Sequence, residues 1–351
     1  MRAPSVKNFL RAFSEPRFQI YGIFFTASVI IMLLLRATAS FISTDPKPEL
    51  IPYSLEKQAH ATSAVETEVG FYIMSFPLLD ITHNNFIVDA IVWFRFDPSL
   101  ISLDLIQKFS FDKGTIVSKS EPEMKLIENS LFVRYIIRMQ FKSDLNYKRF
   151  PLSDHTLYII LKNDFISPEQ LFFTVRSSIF VISPTIQIQN WTITDYAVES
   201  GYFESQLDKY DPAKTVAHPG VLFSIDLAKS GIRKVFIIVL PITILLFISA
   251  LSLALNIAHL RTSVITLSVG TLTGLIAYRF VLESVIPDVG YFTLADNIFN
   301  LVLSCIFIIF LVNVYSARKV ETDNILALIK GGTFLSIQVL LISGIYIMLH
   351  T

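Results

Sequence analysis

The chain has 351 residues, of which 52% are hydrophobic and only 17% are charged, and its formal net charge is zero. Soluble domains carry about 25% charged residues, so this composition argues against an ordinary soluble protein. A neutral chain offers no basic surface for nucleic acid, and the length leaves room for two domains.

The first apolar run, residues 20–35, comes after a leader that contains four basic residues, Arg2, Lys7, Arg11 and Arg17. Two interpretations of this segment, residues 1–44, are open. The small residues 37–39 (Ala-Thr-Ala) resemble a signal-peptide cleavage site. The long leader and Arg36, directly after the run, favour an uncleaved signal anchor instead. Either way, the basic residues predict a cytoplasmic N-terminus and export of the next segment across a plasma or bacterial inner membrane.

Residues 45–232 form one block of ordinary polarity, in which apolar and polar residues alternate along several runs. A period of two predicts half-buried strands. Turn-forming clusters at 96–98 (Phe-Asp-Pro), 112–114 (Asp-Lys-Gly) and 218–220 (His-Pro-Gly) separate the runs. We therefore expect an exported all-β sandwich. The inward positions of the three clearest strands are Val88, Ala90, Val92, Phe94 and Phe96; Val133, Tyr135, Ile137, Met139 and Phe141; and Leu157, Ile159 and Leu161.

The exported block carries no recognisable catalytic constellation. Its histidines are not paired with other residues at metal-ligand spacing, and it has no nucleophile elbow, phosphate loop or zinc-protease helix. The single cysteine, Cys305, lies in an apolar segment and cannot form an intramolecular disulfide. We expect no enzyme activity, no bound metal and no cofactor.

The last third of the chain, residues 233–351, contains four apolar segments at 235–255, 264–283, 294–315 and 325–349. Each has roughly the 20 residues that a helix needs to cross a bilayer, so a four-helix transmembrane domain is predicted. The join at residues 224–241 has no Gly/Ser-rich linker. A direct join suits an exported domain that transmits force into the membrane.

The second of these segments carries a row of small and weakly polar residues at helical spacing. A stripe of this kind on a membrane helix either packs closely on another helix or touches water. Gly270 with Gly274 forms a small-xxx-small pair and favours packing, so both interpretations are open from this helix alone. The stripe comprises Thr262, Thr266, Gly270, Thr273, Ala277, Phe280 and Ser284.

Several segments, in the right order, resemble the pentameric ligand-gated ion channels of the Cys-loop superfamily. The similarity is to the short prokaryotic members, which include a bacterial proton-activated channel. Residues 70–96 resemble the first two extracellular strands, and residues 144–160 resemble the loop that names the superfamily, without its cysteines. Residues 190–199 resemble the strand after that loop. Pro241 matches the proline of the first span, residues 266–287 the pore-lining span, and residues 285–299 the start of the third.

The resemblance implies a homopentamer in which the stripe of each subunit faces a central pore for small inorganic ions. Ala277 and Phe280 would form an apolar collar, a recognised kind of gate. A small ligand or a proton, bound between subunits against residues 202–218, would open it. Tyr202, Phe203 and Tyr210 are the candidate contacts; the alternative is that these tyrosines only cover the sandwich. Coupling is expected at Phe150, Pro151, Asp154, Lys229, Arg233, Pro287 and Tyr291.

The sequence also departs from the family pattern. The Trp-x-Pro motif of the ligand-binding domain is missing, and Asp154 stands one position later than the acid of the family's Pro-x-Asp. Arg261 and Thr262 occupy the cytoplasmic end of the pore helix, where cation-conducting members have a glutamate. Arg279 is expected to pair with Glu283, which leaves Arg261 as the main free charge and favours anion or weakly selective permeation. A receptor or assembly subunit that does not conduct is the alternative.

Overall fold

The computed structural model describes residues 13–39, 43–53, 64–81, 83–211, 213–229, 233–255, 257–318 and 323–350. The chain divides into two compact units. The helical unit comprises Met1–Phe41, Tyr147–Ser153 and Gly231–Thr351, and the β unit comprises Ile42–Asn146 and Asp154–Ser230. The segment Tyr147–Ser153 thus belongs to the helical unit, although it lies between two strands in the sequence.

The β unit has two sheets, in the manner of a β-sandwich. Its strands are β1 Ile51–Pro52, β2 Val65–Asp80, β3 Asn85–Phe96, β4 Ser110–Phe111, β5 Gly114–Lys119, β6 Glu123–Ile127, β7 Ser130–Lys142, β8 His155–Lys162, β9 Leu171–Thr174, β10 Phe180–Ile182, β11 Trp191–Gln206 and β12 Thr215–Lys229. One sheet has the strand order β1-β11-β12-β8-β4. The other has the order β10-β2-β3-β7-β5, with β6 paired to β7 and β9 to β2.

Period-two patterning accounts for the core of this unit. All thirteen inward positions expected on β3, β7 and β8 are buried. Aromatic rings join the two sheets: the rings of Phe71 on β2 and Phe223 on β12 have centroids 4.7 Å apart, and those of Phe111 and Phe141 are 5.9 Å apart. Large rings of this kind bury much apolar area and interlock, which fixes how the sheets pack.

One expected turn is wrong. Residues 218–220 (His-Pro-Gly) lie inside β12, which pairs with β11 from Gln206↔Thr215 to Trp191↔Lys229. Proline is tolerated there because β8 pairs with β12 only from Gly220 onwards, so Pro219 needs no N–H for that neighbour. Gly220 is required by close packing, since a Cβ at this position would lie 2.5 Å from the Phe203 ring. The real loop between β11 and β12 is residues 207–214.

Among the described residues, the helical unit contains five helices that are long and apolar enough to cross a membrane. They are α1 Pro16–Thr38, α3 Arg233–Ser252, α4 Ile257–Val285, α5 Leu294–Arg318 and α6 Asp323–His350. A four-residue helix, α2 Leu103–Ile106, lies in the β unit. The stretch before Arg261 is set off by a kink at Leu260, which has non-helical backbone angles.

Helix α1 packs as a member of this unit, in contact with α3 and α6. Its buried residues are Gln19, Ile23, Thr26, Ile30 and Leu34, one helical face. Ile30 and Leu34 share an apolar cluster with Val235 of α3 and Ile345 of α6. Gly22 faces the Phe334 ring so closely that a Cβ would lie 2.8 Å from it.

Candidate functional site

Helix α4 has two opposite faces. All seven residues of the predicted stripe are exposed, and Phe280 is 73% exposed. The face turned towards the other helices of the unit is buried to 3% exposure or less, and it comprises Val264, Ser268, Thr271, Leu275 and Leu282. At 100° per residue the two sets lie on opposite sides of the helix. The stripe therefore points away from every helix that the structure describes in this chain.

The hydroxyls on the two faces are satisfied differently. On the buried face, Ser268 Oγ donates to the carbonyl of Val264 at 2.8 Å, and Thr271 Oγ1 donates to that of Ser268 at 3.0 Å. On the stripe, Ser284 Oγ also donates to a backbone carbonyl, that of Val281, at 2.7 Å. The hydroxyls of Thr266 and Thr273, in contrast, have no hydrogen-bond partner among the described residues. Side chains that do not bond back to their own helix are free to bind water or an ion.

The two glycines of the small-xxx-small pair separate in the same way. Of the residues that the structure describes, none comes within 4 Å of a Cβ built on Gly270, which is on the stripe. A Cβ on Gly274 would lie 3.3 Å from the Leu245 side chain of α3. Close packing within the chain thus uses Gly274 and not Gly270.

A buried polar cluster joins three of the helices. Asn313 Nδ2 on α5 donates to Ser252 Oγ on α3 at 2.6 Å and to Ser268 Oγ on α4 at 2.8 Å. Nearby, Lys330 of α6 donates to the carbonyl of Leu255 at 3.0 Å. None of these residues is among the sequence-predicted sites. Their signal in the sequence is a strongly polar side chain inside an apolar span, since such residues are costly in a membrane and usually have a partner.

The C-terminal end of α4 is tied to the start of α5 through Arg279. Its Nε lies 3.2 Å from Glu283, as expected for an i,i+4 pair, but its Nη1 also bonds the carboxylate of Asp296. One guanidinium between two carboxylates leaves a net negative charge. Glu283 is half-exposed and shares its cationic partner with Asp296. That Arg261 is the main free charge near the path stays a prediction. Arg261 itself is exposed at the other end of the helix.

A polar cleft of about 580 Å³ lies at this end of the unit, lined by Arg279, Glu283, Asp296 and residues 286–292. Asp296 also closes a capping box at the start of α5, because its carboxylate accepts from the N–H and the hydroxyl of Thr293 at 2.9 and 2.7 Å. Among the predicted coupling residues, Pro287 is buried and Tyr291 is 39% exposed.

The loop at residues 147–153, where coupling is predicted, caps the start of α5. The N–H groups of Leu294 and Ala295 donate to the carbonyls of Lys148 and Phe150, at 2.8 and 3.0 Å. These are amides of the first turn of α5, which have no acceptor within the helix. The Tyr291 hydroxyl accepts from the N–H of Tyr147 at 2.9 Å. Phe150 and Pro151 are both buried, so this loop is a packed part of the helical unit.

The residues on either side of that loop meet a buried carboxylate in the β unit. Asp45 accepts from the N–H of Asn146 at 2.6 Å and from the N–H of Thr156 at 2.8 Å, and it lies 3.1 Å from His155 Nδ1. Asp154 accepts from the N–H of Lys229, the last residue of β12, at 2.9 Å. Arg233, beyond it, is exposed at the start of α3. No sequence pattern points to Asp45, because its partners are backbone amides about 100 residues away.

The three candidate ligand contacts are not brought together. Tyr202 and Phe203 lie in β11 and not in a loop; Tyr202 is buried, with its ring 5.8 Å from that of Tyr53. Phe203 covers Gly220. Tyr210 is 88% exposed in the loop after β11. Tyr202 is therefore a core residue, and within one chain these rings do not form an aromatic box.

A second cleft, of about 320 Å³, lies in the β unit between the strap at residues 45–48 and strands β7 and β8. It is lined by Lys113, which pairs with Asp144, and by Tyr158. Burial raises the pKa of Tyr158. In the described part of the chain, no group of three or more His, Cys, Asp or Glu side chains is placed to hold a metal ion.

No protein-family model matches the chain, and no curated protein is similar enough to be assigned as a relative. The function is therefore inferred from the residues and from their geometry.

Proposed function

We propose that this chain is one subunit of a homo-oligomeric ion channel, with α4 of each subunit lining a central pore. The observation that carries the proposal is the exposed stripe on α4, opposite its buried face. The two threonine hydroxyls of the stripe are covered by no helix of the same unit and bond to no carbonyl of their own helix, so a partner for them must come from water or from a second copy of the stripe. Five copies around an axis, the number that the family resemblance implies, would give them both.

The gate in this proposal is the ring of Phe280 with Ala277 one turn before it. Both residues are exposed on the stripe, so their side chains would project into the pore without being covered by another side chain of the same subunit. A narrow ring of phenyl groups excludes water, and an ion cannot cross it without losing its hydration shell. Thr266 and Thr273, nearer the other end, would line the wet part of the path.

The route of coupling runs along the covalent chain. Strand β12 ends at Lys229, four residues before α3 begins at Arg233, and the capping loop at residues 147–153 lies between β7 and β8 in the chain. Asp45 and Asp154 hold the strand residues at the feet of that loop. A ligand that rearranged those strands would therefore shift the loop whose carbonyls cap α5, and α5 is bonded to α4 through Asp296 and Arg279.

The N-terminal helix belongs to the mature subunit in this proposal. Its buried face, its cluster with α3 and α6 and the close fit of Gly22 on Phe334 are features of a packed helix. A cleaved signal peptide has no need of them. Intact-mass measurement of the purified protein should return the full chain; a mass that starts near residue 40 would contradict this part.

Two measurements on the purified full-length protein test the function. Native mass spectrometry in detergent should give a species of five chains, and the same sample in a planar bilayer with symmetric KCl should give discrete current steps. Replacing Thr273 by Asp should alter the current amplitude, which ties the current to this protein and excludes a contaminant. Pentamers that never conduct in wild-type form would favour the non-conducting receptor; monomers would contradict both.

A further inference from the structure

A hydrogen bond between α3 and α4 fills a position that Pro241 leaves open. Proline has no N–H, so the carbonyl four residues earlier, that of Ile237, loses its helical donor. The hydroxyl of Tyr278 on α4 donates to this carbonyl at 2.9 Å, and the carbonyl of Ile238 lies 3.3 Å from the same hydroxyl. Pro241 lies inside the continuous helix α3, so the freed carbonyl is a direct consequence of the sequence.

The bond has a particular place on α4. Tyr278 comes directly after Ala277 and stands two residues before Phe280, but it lies on the side of the helix that faces α3. Gly274, one turn earlier on that side, packs against Leu245 of α3. The close approach at Gly274 sets the distance between the helices, and the bond from Tyr278 fixes the rotation of α4 about its own axis. A carbonyl in the hydrocarbon core cannot bond to water, so leaving it unpaired costs free energy. The helix orientation that keeps this hydrogen bond is therefore favoured over any rotation of α4 that breaks it.

We propose that Tyr278 is a positioning residue for the pore: its bond to the Ile237 carbonyl, made available by Pro241, holds Ala277 and Phe280 in their orientation. The effect on the pore rests on the proposed channel function, whereas the hydrogen bond between Tyr278 and Ile237 does not. The stability that the bond gives to the protein and its effect on conductance can be measured separately.

The test is a double-mutant cycle between Tyr278→Phe and Pro241→Ala in the full-length protein. Tyr278→Phe keeps the ring and removes the donor. Alanine at 241 supplies an N–H to the Ile237 carbonyl, so in that background the tyrosine hydroxyl is no longer needed. The readouts are the oligomer that survives a heating series in detergent and the resting conductance in a planar bilayer with symmetric KCl. Tyr21→Phe is the matched control, because Tyr21 is 72% exposed on α1 and no bond of its hydroxyl is found among the described residues.

In the wild-type background, Tyr278→Phe should lower heat survival and change the resting conductance by about two- to tenfold, the range for one hydrogen bond. With alanine at 241, both effects should disappear. A ring that only fills space would behave alike in the two backgrounds, so equal effects, or no effect beyond that of Tyr21→Phe, would overturn the proposal. If heat survival of the oligomer changes across the double-mutant cycle as expected but no variant conducts, the result supports the hydrogen bond from Tyr278 and counts against the channel function.

If Pro241→Ala does not assemble, non-natural residues at position 278 decide the question. 4-Aminophenylalanine retains a donor at the ring para position and should match the wild type. 4-Fluorophenylalanine has no donor and should match Tyr278→Phe. The same behaviour from both residues would overturn the proposal.

Discussion

Both faces of α4 carry hydroxyl side chains, but the threonines and serines of the buried face make different hydrogen bonds from the threonines of the exposed face. On the buried face, Ser268 and Thr271 bond to backbone carbonyls, and Ser268 also accepts from Asn313 of α5. On the exposed face, Thr266 and Thr273 make no such bond within the described residues. Ser284, at the end of the stripe, does bond back to the carbonyl of Val281, at 2.7 Å. The difference between the two faces therefore lies in the two threonines, whose hydroxyls bond to no carbonyl of their own helix among the described residues and are available to water.

The same charge placed on each face of α4 should have opposite consequences for assembly. Thr271→Asp would bury a carboxylate without a cationic partner, at a cost of about 3 to 5 kcal/mol. Oligomer yield in detergent should collapse. Thr273→Asp, two residues later on the stripe, should assemble normally, because its carboxylate is hydrated.

One outcome for these two variants would contradict a water-facing stripe. If the stripe faced lipid or a dry helix contact, Thr273→Asp would reduce the yield of oligomer as severely as Thr271→Asp. Size-exclusion profiles of the two variants, prepared side by side, distinguish the cases.

The proposed gate lies at one level of the stripe, that of Phe280. Phe280→Ser should wet the constriction and raise resting conductance by roughly tenfold or more, which needs only about 1.4 kcal/mol of barrier. Phe307→Ser is the matched control, since Phe307 is also exposed but lies on α5, outside the stripe. Unchanged resting current in Phe280→Ser, with normal amounts of oligomer, would remove Phe280 from the gate.

The β unit offers the same contrast between a covered and an uncovered ring. Tyr202→Ala should destabilise the protein by about 3 kcal/mol, as is typical when a buried aromatic ring is truncated. Tyr210→Ala, in the adjoining loop, should change stability by less than about 0.5 kcal/mol. Thermal unfolding of both variants checks this. A shift in channel opening with unchanged stability in Tyr202→Ala would instead restore Tyr202 as a ligand contact.

How much the sequence predicts depends on the range of the interaction. Alternation along β3, β7 and β8 and the helical spacing of the stripe are local patterns, and the observed burial agrees with both. The turn expected at 218–220 is wrong because Pro and Gly are local signals, whereas the pairing limits of β8 decide whether a strand can pass through them.

Contacts between distant segments cannot be predicted in the same way. Asp45 accepts from backbone amides about 100 residues later in the chain, and Asn313 bonds to side chains on two other helices. Tyr278 donates to a carbonyl that lacks its helical donor because of Pro241. The charge balance at the end of α4 also escapes prediction, because Asp296 approaches Arg279 only once α5 has packed.

The smallest effects are expected from charges at the two ends of the stripe. Arg261→Gln should shift the permeability ratio towards cations and Glu283→Gln towards anions, each by about two- to threefold, because exposed charges are screened. Reversal potentials in asymmetric KCl measure both. Identical reversal potentials in wild type and both variants would show that neither residue contributes to selectivity.

The most direct test of the central claim is the reaction of single cysteines along α4 with a charged, water-soluble thiol reagent. Cys305 is the only native cysteine and is buried, so a Cys305→Ala chain provides the background. We expect modification at positions 266, 273, 277 and 280 and protection at 264, 268, 275 and 282, measured by mass on protein in liposomes. Protection of the stripe positions, or modification without helical period, would contradict a water-facing stripe on α4.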